Sequence, residues 1–588
     1  MGAHAAALAI VLLAALLRLD AFVGKYGTLD HPAWARTATQ TIAPVAARFR
    51  PADVQWSRVP APYVGGDPIN YLAYARQMES FYQAHVREPV FLASTRAAIW
   101  LLDGQDAGVS LASCAGSVLA VFATYLLGVA LLSPAAGLLA ALLMAIEYDA
   151  IMWAPDGWRD DIFTATVLLS AWALLRLHDR PSFGRALQAG ACCGIACLTR
   201  ITALTFVVPA FLWLVVAAGQ GQRKARLQGV GLALLISAAI VAPYMISCAI
   251  ATGDPLYALN YHTHYYRYAE GMDVSRPMSA VDYLRTKLGS RPVATLDTGF
   301  IGLFVQPFIT KWRGFQQWIP GLGAGAQGAA IVGLALLPFT RRGRLLIVIL
   351  LTSLLPYAFS WNVGGGGEWR FTMHAYPFYL VAASFAVVVL VGVVNGAIRR
   401  GFSVSREVMA GAARRAAAVA IVALAGTALY LGLPWLVKDE AIAAGESTSI
   451  ETGFRDTIFY RSGWSPPHLE GITVRVSTAQ WSVIRIPLPA RRAYALTLRL
   501  DPVAPALQQR VRVLCNRQTV GLLNLGWDPQ RVGAYRVVLP EGVVRPGSNE
   551  LVLIPESTMA AGAAGPRFAW IDPTQPIGVR LWYVRVSP

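Results

Sequence analysis

The most regular feature of the chain is a series of long apolar stretches separated by short polar loops. Several of these stretches hold about 18 to 25 hydrophobic residues, enough for a helix to cross a hydrocarbon core of roughly 30 Å. In lipid the backbone must satisfy its own hydrogen bonds, so helices are the expected structure. The pattern predicts about 11 transmembrane helices, at residues 3–19, 107–132, 134–152, 162–177, 186–199, 201–218, 229–251, 319–339, 344–361, 372–396 and 416–436.

Three of the predicted spans differ from a simple apolar helix. The fifth and sixth are short and meet at Arg200. We interpret them as a tight hairpin whose polar tip reaches the membrane interface. The first stretch, residues 1–19, lacks a positive leading region and a small-residue cleavage site, so it is predicted to be an uncleaved first helix.

The basic residues of the short loops orient the predicted helices. Several arginines lie in each of the loops 176–185, 223–226, 341–344 and 399–415, and alternation of the spans puts all four loops on one side. Because Lys and Arg are enriched in cytoplasmic loops, that side is predicted to be the cytoplasm. The N-terminus would then be cytoplasmic. The outward-facing segments would be 20–106, 153–161, 252–318, 362–371 and the tail from 437.

From about residue 470 the hydrophobic period changes from that of a helix to two. Alternating segments at 472–476, 496–500 and 511–513 lie between Gly, Pro and Asn turn signals. This pattern predicts an antiparallel β-sandwich or jelly roll. The expected domains are a membrane domain at 1–436 with surface helices in its loop 20–106, a connector at 437–469, and an extracytoplasmic β-sandwich at 470–588.

Composition supports a membrane setting and narrows the partners. Hydrophobic residues make up 55% of the chain and charged residues 14%, a balance that suits lipid better than water. The formal net charge is +17. Lys and Arg are dispersed rather than gathered on one face, so lipid phosphate and not nucleic acid is the expected anionic partner. Five of the six cysteines lie in apolar segments, and no structural disulfide is predicted.

Acidic side chains collect on the predicted outer face, where each is costly near lipid. Asp67 begins a predicted surface helix, and a carboxylate there would stabilise the helix N-terminus in any case. The functional alternative is a base that takes a proton from an acceptor hydroxyl. In the segment 153–161, Arg159, Asp160 and Asp161 again open a helix. Two acids and an arginine are more than one helix cap requires.

Three arginines are candidates to hold a phosphate, because guanidinium offers a planar fork of donors and keeps its charge near lipid. They are Arg200, Arg291 and Arg370. Each has the equally plain alternative of an interface residue whose charged end reaches water. Four glycines precede Glu368 and Arg370 and would allow a ligand to approach the backbone closely. The segment lacks the lysine of a P-loop.

Taken in order, these segments resemble the GT-C glycosyltransferases, in particular the group of aminoarabinose transferases and protein O-mannosyltransferases. Residues 66–78 read Gly-Asp-Pro-Ile-Asn-Tyr-Leu-Ala-Tyr-Ala-Arg-Gln-Met. They are similar to the family's acid-x-x-x-Tyr-x-x-x-Ala-Arg-x-Met stretch, in which the acid is catalytic. The later motifs are matched in order by residues 87–91, 159–161, 190–200 and 369–377. The resemblance covers about residues 1–436.

The resemblance implies a GT-C fold and a hexosyl- or pentosyltransferase that moves a sugar from a polyprenyl-phosphate donor to a lipid, glycan or protein acceptor. The reaction would take place at the outer face of a bacterial-type inner membrane. Asp67 would be the catalytic base. Substrate would be bound by Tyr71, Arg87, Glu88, Arg159, Asp160, Asp161, Arg200, Arg291, Glu368 and Arg370.

No cofactor is assigned, and a divalent metal stays open. Pro68 stands where the family often has a second acid, which weighs against a metal or a two-carboxylate mechanism. His262 and His264 lie two residues apart in an outer loop, but without neighbouring acids they are weak evidence for a metal and are interpreted as a surface pair.

Two other functions share these features. A transporter or flippase of lipid-linked sugars would show inverted repeats, broken helices and ionisable residues near mid-membrane, and no repeating halves are visible. An oligosaccharyltransferase or glycan ligase would share the architecture, and the sequence does not separate it from a single-sugar transferase. The tail looks like the β-sandwich accessory modules of sugar-active proteins, which suggests carbohydrate binding or docking, and fold alone does not choose.

Overall fold

The computed structural model describes most of the chain in two compact units. The described residues are 2–52, 54, 56, 66–217, 223–269, 272–275, 278–305, 311–359, 369–399, 406–453, 455–470, 472–504, 509–526 and 533–588. One unit comprises Met1–Thr286 and Thr298–Ala420, and the other comprises Lys287–Asp297 and Ile421–Pro588. Glu368 and the four glycines before it lie outside the described residues.

The first unit is helical. Its longer helices in chain order are α1 (Gly2–Tyr26), α2 (Asp67–Gln77), α3 (Pro89–Leu101), α4 (Gly108–Leu131), α5 (Pro134–Ala145), α6 (Tyr148–Trp153), α7 (Asp160–Asp179), α8 (Phe183–Thr199), α9 (Leu204–Val216), α10 (Arg223–Thr252), α11 (Tyr257–Ala269), α12 (Ala280–Ser290), α13 (Leu322–Leu336), α14 (Arg341–Leu354) and α15 (Tyr376–Arg399). The helix α16 (Arg406–Ala443) and, earlier, α12 run across the boundary between the units.

The prediction of a polytopic helical membrane protein is confirmed. Seven described helices are long and apolar enough to cross a membrane: Gly2–Tyr26, Gly108–Leu131, Asp160–Asp179, Arg223–Thr252, Leu322–Phe339, Arg341–Phe359 and Tyr376–Asn395. An eighth span is formed if α5 and the segment Tyr148–Asp156, bent by 55° from it, cross together. Each of the eleven predicted spans overlaps helical residues, but the third is divided into α5 and α6, and the fifth and sixth are short. The count of eleven therefore stays a prediction.

Close helix packing in this unit depends on small residues. A Cβ atom on Gly190 of α8 would lie 2.6 Å from the carbonyl oxygen of Ala233 in α10. Gly128 of α4 and Gly137 of α5 approach each other in the same way, and a Cβ on Gly128 would lie 2.7 Å from the Cα of Gly137. Helices in lipid associate through such close contacts, since lipid chains are as apolar as the side chains they replace.

The second unit contains the predicted antiparallel β-structure, with strands β1 (Thr448–Glu451), β2 (His468–Glu470), β3 (Ile472–Val476), β4 (Ser482–Leu488), β5 (Tyr494–Pro502), β6 (Gln509–Cys515), β7 (Gln518–Leu525), β8 (Gly533–Leu539), β9 (Gly547–Pro555), β10 (Met559–Ala560), β11 (Pro576–Ile577) and β12 (Val579–Ser587). A six-stranded sheet has the order β2-β3-β12-β5-β8 with β1 also on β12, and a four-stranded sheet has the order β4-β9-β6-β7.

The two sheets share one apolar core, to which Leu496 and Leu498 contribute from one sheet and Val511 and Leu551 from the other. The alternating residues of each strand are thus buried, as the period of two indicates. The structure also places β1 and β2 within the segment 437–469 that the sequence suggests as a connector. This segment carries strands because β1 pairs along the last strand, from Thr448 opposite Val586.

Candidate active site

The helix α2 presents Asp67 at its first turn. Gly66 precedes it with a φ of 69°, a conformation that glycine adopts without strain. A Cβ on Gly66 would lie 3.4 Å from the Trp158 ring, so the backbone here lies against the segment that opens α7. The Asp67 side chain is half-buried at the N-terminus of this helix.

Tyr71 lies one helical turn after Asp67 and occupies the centre of the site. It is 2% exposed and packs edge to face on Phe91, with ring centroids 5.3 Å apart. The guanidinium groups of Arg87 and Arg159 each lie 6.0 Å from the Tyr71 ring centroid. Burial raises the pKa of the Tyr71 phenol, which is therefore neutral at physiological pH.

Glu88 connects three separate parts of the chain. One of its oxygens accepts a hydrogen bond of 2.6 Å from Arg159, and the other accepts one of 2.7 Å from the backbone N–H of Ile201. Both charged side chains are at least nine-tenths buried. Burial by itself would lower the pKa of Arg159, but nearby acidic groups, including the Glu88 carboxylate, outweigh it and raise that pKa. A charged, paired guanidinium is thus held at the beginning of α7.

A second buried ion pair joins Arg200 to Asp160. The Nη1 atom of Arg200 lies 2.6 Å from Oδ1 of Asp160. The guanidinium also lies 5.0 Å from the Tyr357 ring centroid and 5.7 Å from that of Phe163. Its buried Nε has no hydrogen-bond partner among the described residues. Arg200 therefore keeps one donor for a ligand.

His262 lies between two arginines. Its Nδ1 is 3.2 Å from Nη1 of Arg87, and its Nε2 is 3.1 Å from Nη2 of Arg159. A neutral imidazole has one accepting nitrogen, so only one of these contacts is a proper hydrogen bond. Arg87 forms no ion pair with a carboxylate in the described part of the chain, and its Nε is buried without a partner. It is the cation of this cluster with the most freedom to bind an anion.

The structure thus brings together six of the predicted site residues, namely Tyr71, Arg87, Glu88, Arg159, Asp160 and Arg200. Asp161 is buried beside them but accepts a hydrogen bond of 2.7 Å from Ser113 instead. Arg291 belongs to the second unit, where it pairs with Glu440 at 3.3 Å and Glu446 at 2.5 Å. Arg370 lies in a short helix, Trp369–Thr372, and its side chain is outside the described set, as is Glu368.

Sequence reasoning missed His262, which it treated as half of a surface pair. The loop folds into α11, and this places His262 and Tyr266 one turn apart on a helix. Tyr266 lies near Phe371, with ring centroids 6.5 Å apart. The four-residue spacing of the two side chains is the signal that could have indicated a buried face.

The described residues contain no group of three or more His, Cys, Asp or Glu side chains arranged to hold a metal ion. The described side chains of the cluster offer guanidinium donors, the His262 imidazole, and the buried phenols of Tyr71 and Tyr357. The carboxylates are those of Asp67, Glu88 and Asp160. The guanidinium groups suit an anionic ligand.

Comparison with solved structures finds an oligosaccharyltransferase and ArnT at low similarity. The archaeal oligosaccharyltransferase AglB from Archaeoglobus fulgidus, in complex with an inhibitory peptide and a dolichol-phosphate, is 14% identical with a TM-score of 0.40 and covers 71% of this chain and 54% of its own. ArnT from Cupriavidus metallidurans, bound to undecaprenyl phosphate, is 12% identical with a TM-score of 0.41 and covers 65% of each chain. This chain spans about half the length of AglB. Because these TM-scores lie below 0.5, the likenesses assign no function.

Sequence comparison adds one match. No curated protein sequence matches the chain. The family model described as dolichyl-phosphate-mannose-protein mannosyltransferase matches residues 87–246, the segment that contributes Arg87, Glu88, Arg159, Asp160 and Arg200 to the cluster. Over this segment the predicted resemblance to protein mannosyltransferases is confirmed.

Proposed function

We propose that the chain is an integral-membrane glycosyltransferase that moves a sugar from a polyprenyl-phosphate donor to an acceptor at the extracytoplasmic face. The observation that carries the proposal is a cluster of three arginines, in which half-buried Arg87 and buried Arg159 lie beside the Tyr71 ring, one helical turn from Asp67. The third, buried Arg200, pairs with Asp160, the residue after Arg159. Guanidinium groups at the ends of apolar helices are expensive to bury. The negative charge of a lipid-linked phosphate would offset this cost.

Arg87 and Arg200 are the proposed phosphate-binding residues. Arg159 is committed to Glu88, whereas Arg87 has no carboxylate partner in the described structure and Arg200 keeps a free Nε. As the bond from the anomeric carbon to the phosphate oxygen breaks, its electron pair stays on the lipid phosphate. Guanidinium donors stabilise the growing negative charge on that oxygen. The leaving group needs no protonation, unlike the alcohol in glycoside hydrolysis.

Asp67 is the proposed base. It would take the proton from the acceptor hydroxyl while the acceptor oxygen forms the new bond to the anomeric carbon. Its half-buried position at the start of α2 leaves the carboxylate accessible to an acceptor hydroxyl. Tyr71 and His262 are proposed to hold Arg87 in place rather than to react, because their contacts are with the guanidinium.

The membrane orientation belongs to the same proposal. Basic loops at 176–185, 223–226, 341–344 and 399–415 favour a cytoplasmic location for that face, and the cluster then faces outward in a bacterial-type inner membrane. The C-terminal β-unit is proposed to lie on the outer side of the membrane as well.

One observation favours the transporter alternative. The span Pro134–Ala145 with Tyr148–Asp156 is bent by 55°, and broken helices are typical of transporters. The ionised residues of the cluster, however, lie at helix ends, at Glu88 before α3, Arg159 before α7 and Arg200 after α8. A transport path would place them deeper in the membrane. Block transfer, as by an oligosaccharyltransferase, stays open within the transferase proposal.

The test uses purified protein in lipid, given radiolabelled sugars on polyprenyl phosphate together with an envelope acceptor fraction. Donor consumption is measured for the wild type, for Asp67→Asn, and for Asp103→Asn as a matched control. Asp103 is an exposed acid with a φ of 51°, a conformation that asparagine tolerates. Transfer should vanish in Asp67→Asn alone. Normal turnover in that variant removes Asp67 as base, and lipid movement between leaflets without transfer identifies a flippase.

A further inference from the structure

A polar cavity lies among the basic loops, outside the Tyr71 cluster, and the transferase proposal assigns no role to it. Its volume is about 410 Å³, within the usual range of ligand pockets. It is formed where α4 and α7 end and where α10 and α14 begin. Three arginines, Arg226, Arg341 and Arg342, line it against one carboxylate, Asp179.

Two of these arginines, Arg342 and Arg226, are already bound to neighbouring groups of the protein. Arg342 donates from Nε to Asp179 at 3.0 Å, and its Nη2 lies 2.8 Å from the other Asp179 oxygen. Arg226 is 6% exposed and donates to the carbonyl oxygens of Ala217 and His178, each at 3.0 Å. These contacts neutralise the carboxylate and satisfy carbonyl groups at helix ends. This side of the cavity is therefore formed by residues that already have partners.

Among the remaining polar groups, Thr340 is satisfied by Leu337 and Gly343, whereas Arg341 and the Nδ1 atom of His178 have no hydrogen-bond partner among the described residues. Arg341 is exposed and forms no ion pair or side-chain hydrogen bond that the described structure contains. His178 is 6% exposed, and its Nδ1 has no hydrogen-bond partner, since the nearest Asp179 oxygen is 3.7 Å away. The first turn of the 14-residue helix α14 adds backbone N–H groups beside them. A helix N-terminus with an unpaired guanidinium is a favourable place for a phosphate.

The opposite wall is apolar. Leu131 and Leu132 end α4, and Phe385 lies well inside the long helix α15. The cavity therefore joins a cationic rim to a surface of the kind that contacts acyl chains. Basic pockets between helices at the cytoplasmic side of a membrane are typical sites for anionic lipid head groups.

We propose that this cavity binds the phosphate of an anionic membrane phospholipid, with Arg341 and His178 at the head group and Leu132 and Phe385 along the chains. A free phosphate ion would use the same rim but would leave the apolar wall empty. The proposal concerns a lipid that stays bound and is independent of sugar transfer at the opposite helix ends.

The test measures binding of phosphatidylglycerol to the purified full-length chain by native mass spectrometry from detergent. Phosphatidylcholine, whose phosphate is balanced by a cation, is the comparison lipid. The variants are Arg341→Gln and the matched control Arg344→Gln, an exposed arginine of the same helical turn that does not line the cavity. Removing one charge-assisted hydrogen bond should weaken phosphatidylglycerol binding about tenfold in Arg341→Gln. Arg344→Gln should bind as the wild type does.

Leu132→Trp provides a second arm, since it fills the apolar wall and leaves every charge in place. It should also weaken phosphatidylglycerol binding while retaining the overall fold by size-exclusion chromatography. Equal loss in Arg341→Gln and Arg344→Gln, or no preference over phosphatidylcholine, overturns the proposal. Full competition by millimolar inorganic phosphate, with no effect of Leu132→Trp, would assign the rim to a free ion and overturn the lipid assignment.

Discussion

At the scale of single residues, the arginines of the cluster around Tyr71 differ in whether a carboxylate already pairs with them. Arg159 and Arg200 are each 2.6 Å from a buried carboxylate, at Glu88 and Asp160. Arg87 has contacts to an imidazole and an aromatic ring instead. The charges of Arg159 and Arg200 are largely balanced by their carboxylate partners, whereas Arg87 has no such partner among the described residues. Arg87 should therefore contribute most to phosphate binding.

Replacing Arg87 should therefore impair transfer strongly. We expect Arg87→Gln to lower kcat/KM by about 10²- to 10³-fold, comparable to the loss of one donor that stabilises a developing oxyanion. Arg87→Lys should retain part of the activity, because it keeps the charge and loses the planar fork. The control is Arg96→Gln, an exposed arginine in α3. Steady-state transfer kinetics check the order, and equal rates for both Gln variants would contradict it.

The pair between Glu88 and Arg159 should matter for stability more than for chemistry. Glu88→Gln leaves the Arg159 charge buried without its carboxylate, which costs about 3–5 kcal/mol when one partner of a buried pair is removed. The expected result is a clearly lower unfolding midpoint in detergent. Glu79→Gln, at an exposed acid in the same loop, should leave the midpoint unchanged. A midpoint equal to that of wild type would show that Arg159 finds another anion.

The sequence allowed the charged residues at the site to be predicted, but not which of them pair with each other. Charged side chains at the ends of apolar spans are visible in the sequence, and this identified Arg159, Asp160 and Arg200. The partners lie far apart along the chain: Glu88 is 71 residues from Arg159 and 113 from Ile201. No local pattern encodes such distances. His262 was missed for the same reason, since its contacts depend on where α11 packs.

At the scale of helices and strands, the apolar pattern located the seven described helices that are long enough to cross a membrane, but not the break within one predicted span. Residues 134–152 were predicted as one helix, whereas α5 ends at Ala145 and α6 begins at Tyr148. Glu147 accepts a hydrogen bond of 2.5 Å from the N–H of Ala150 and so caps α6. Arg18 of α1 donates to the Ala145 carbonyl at 2.8 Å. The acid at 147 was a local signal of the break, but the distant arginine was not.

Helix contacts through glycine give a prediction at this scale. Gly190→Val should destabilise the unit, because its Cβ would meet the Ala233 carbonyl and force α8 away from α10. Gly231→Val is the matched control, since a Cβ there meets nothing within 4 Å and it lies in the facing helix α10. Detergent-solubilised yield and unfolding midpoint should fall for Gly190→Val alone. Equal values for both variants would show that the two helices can separate without cost.

At the scale of the whole molecule, the division into helical and β-rich parts could be predicted because the hydrophobic period changes near residue 470. The start of the β-rich unit could not be placed in the same way. Its strands β1 and β2 are short, at four and three residues, and too short for an alternating pattern to be detected. The helix α16 also enters this unit, with Ile442 buried in its core. The segment before residue 470 is joined to the sheet by pairing of β1 with the distant strand β12, which no local pattern encodes.

The orientation of the molecule in the membrane decides from which side the acceptor reaches Asp67, and it can be tested by cysteine labelling. Single cysteines can be placed at exposed positions by Ala97→Cys in α3, Arg344→Cys in α14 and Glu556→Cys after β9. Five of the six natural cysteines are buried and Cys192 is half-buried in an apolar helix, so the wild type should give little background with a membrane-impermeant maleimide. In intact spheroplasts we expect labelling at 97 and 556, and at 344 only after permeabilisation, because basic loops are retained in the cytoplasm. The reverse pattern would turn the cluster toward the cytoplasm, where the same arginines could serve a lipid-linked sugar only before its translocation.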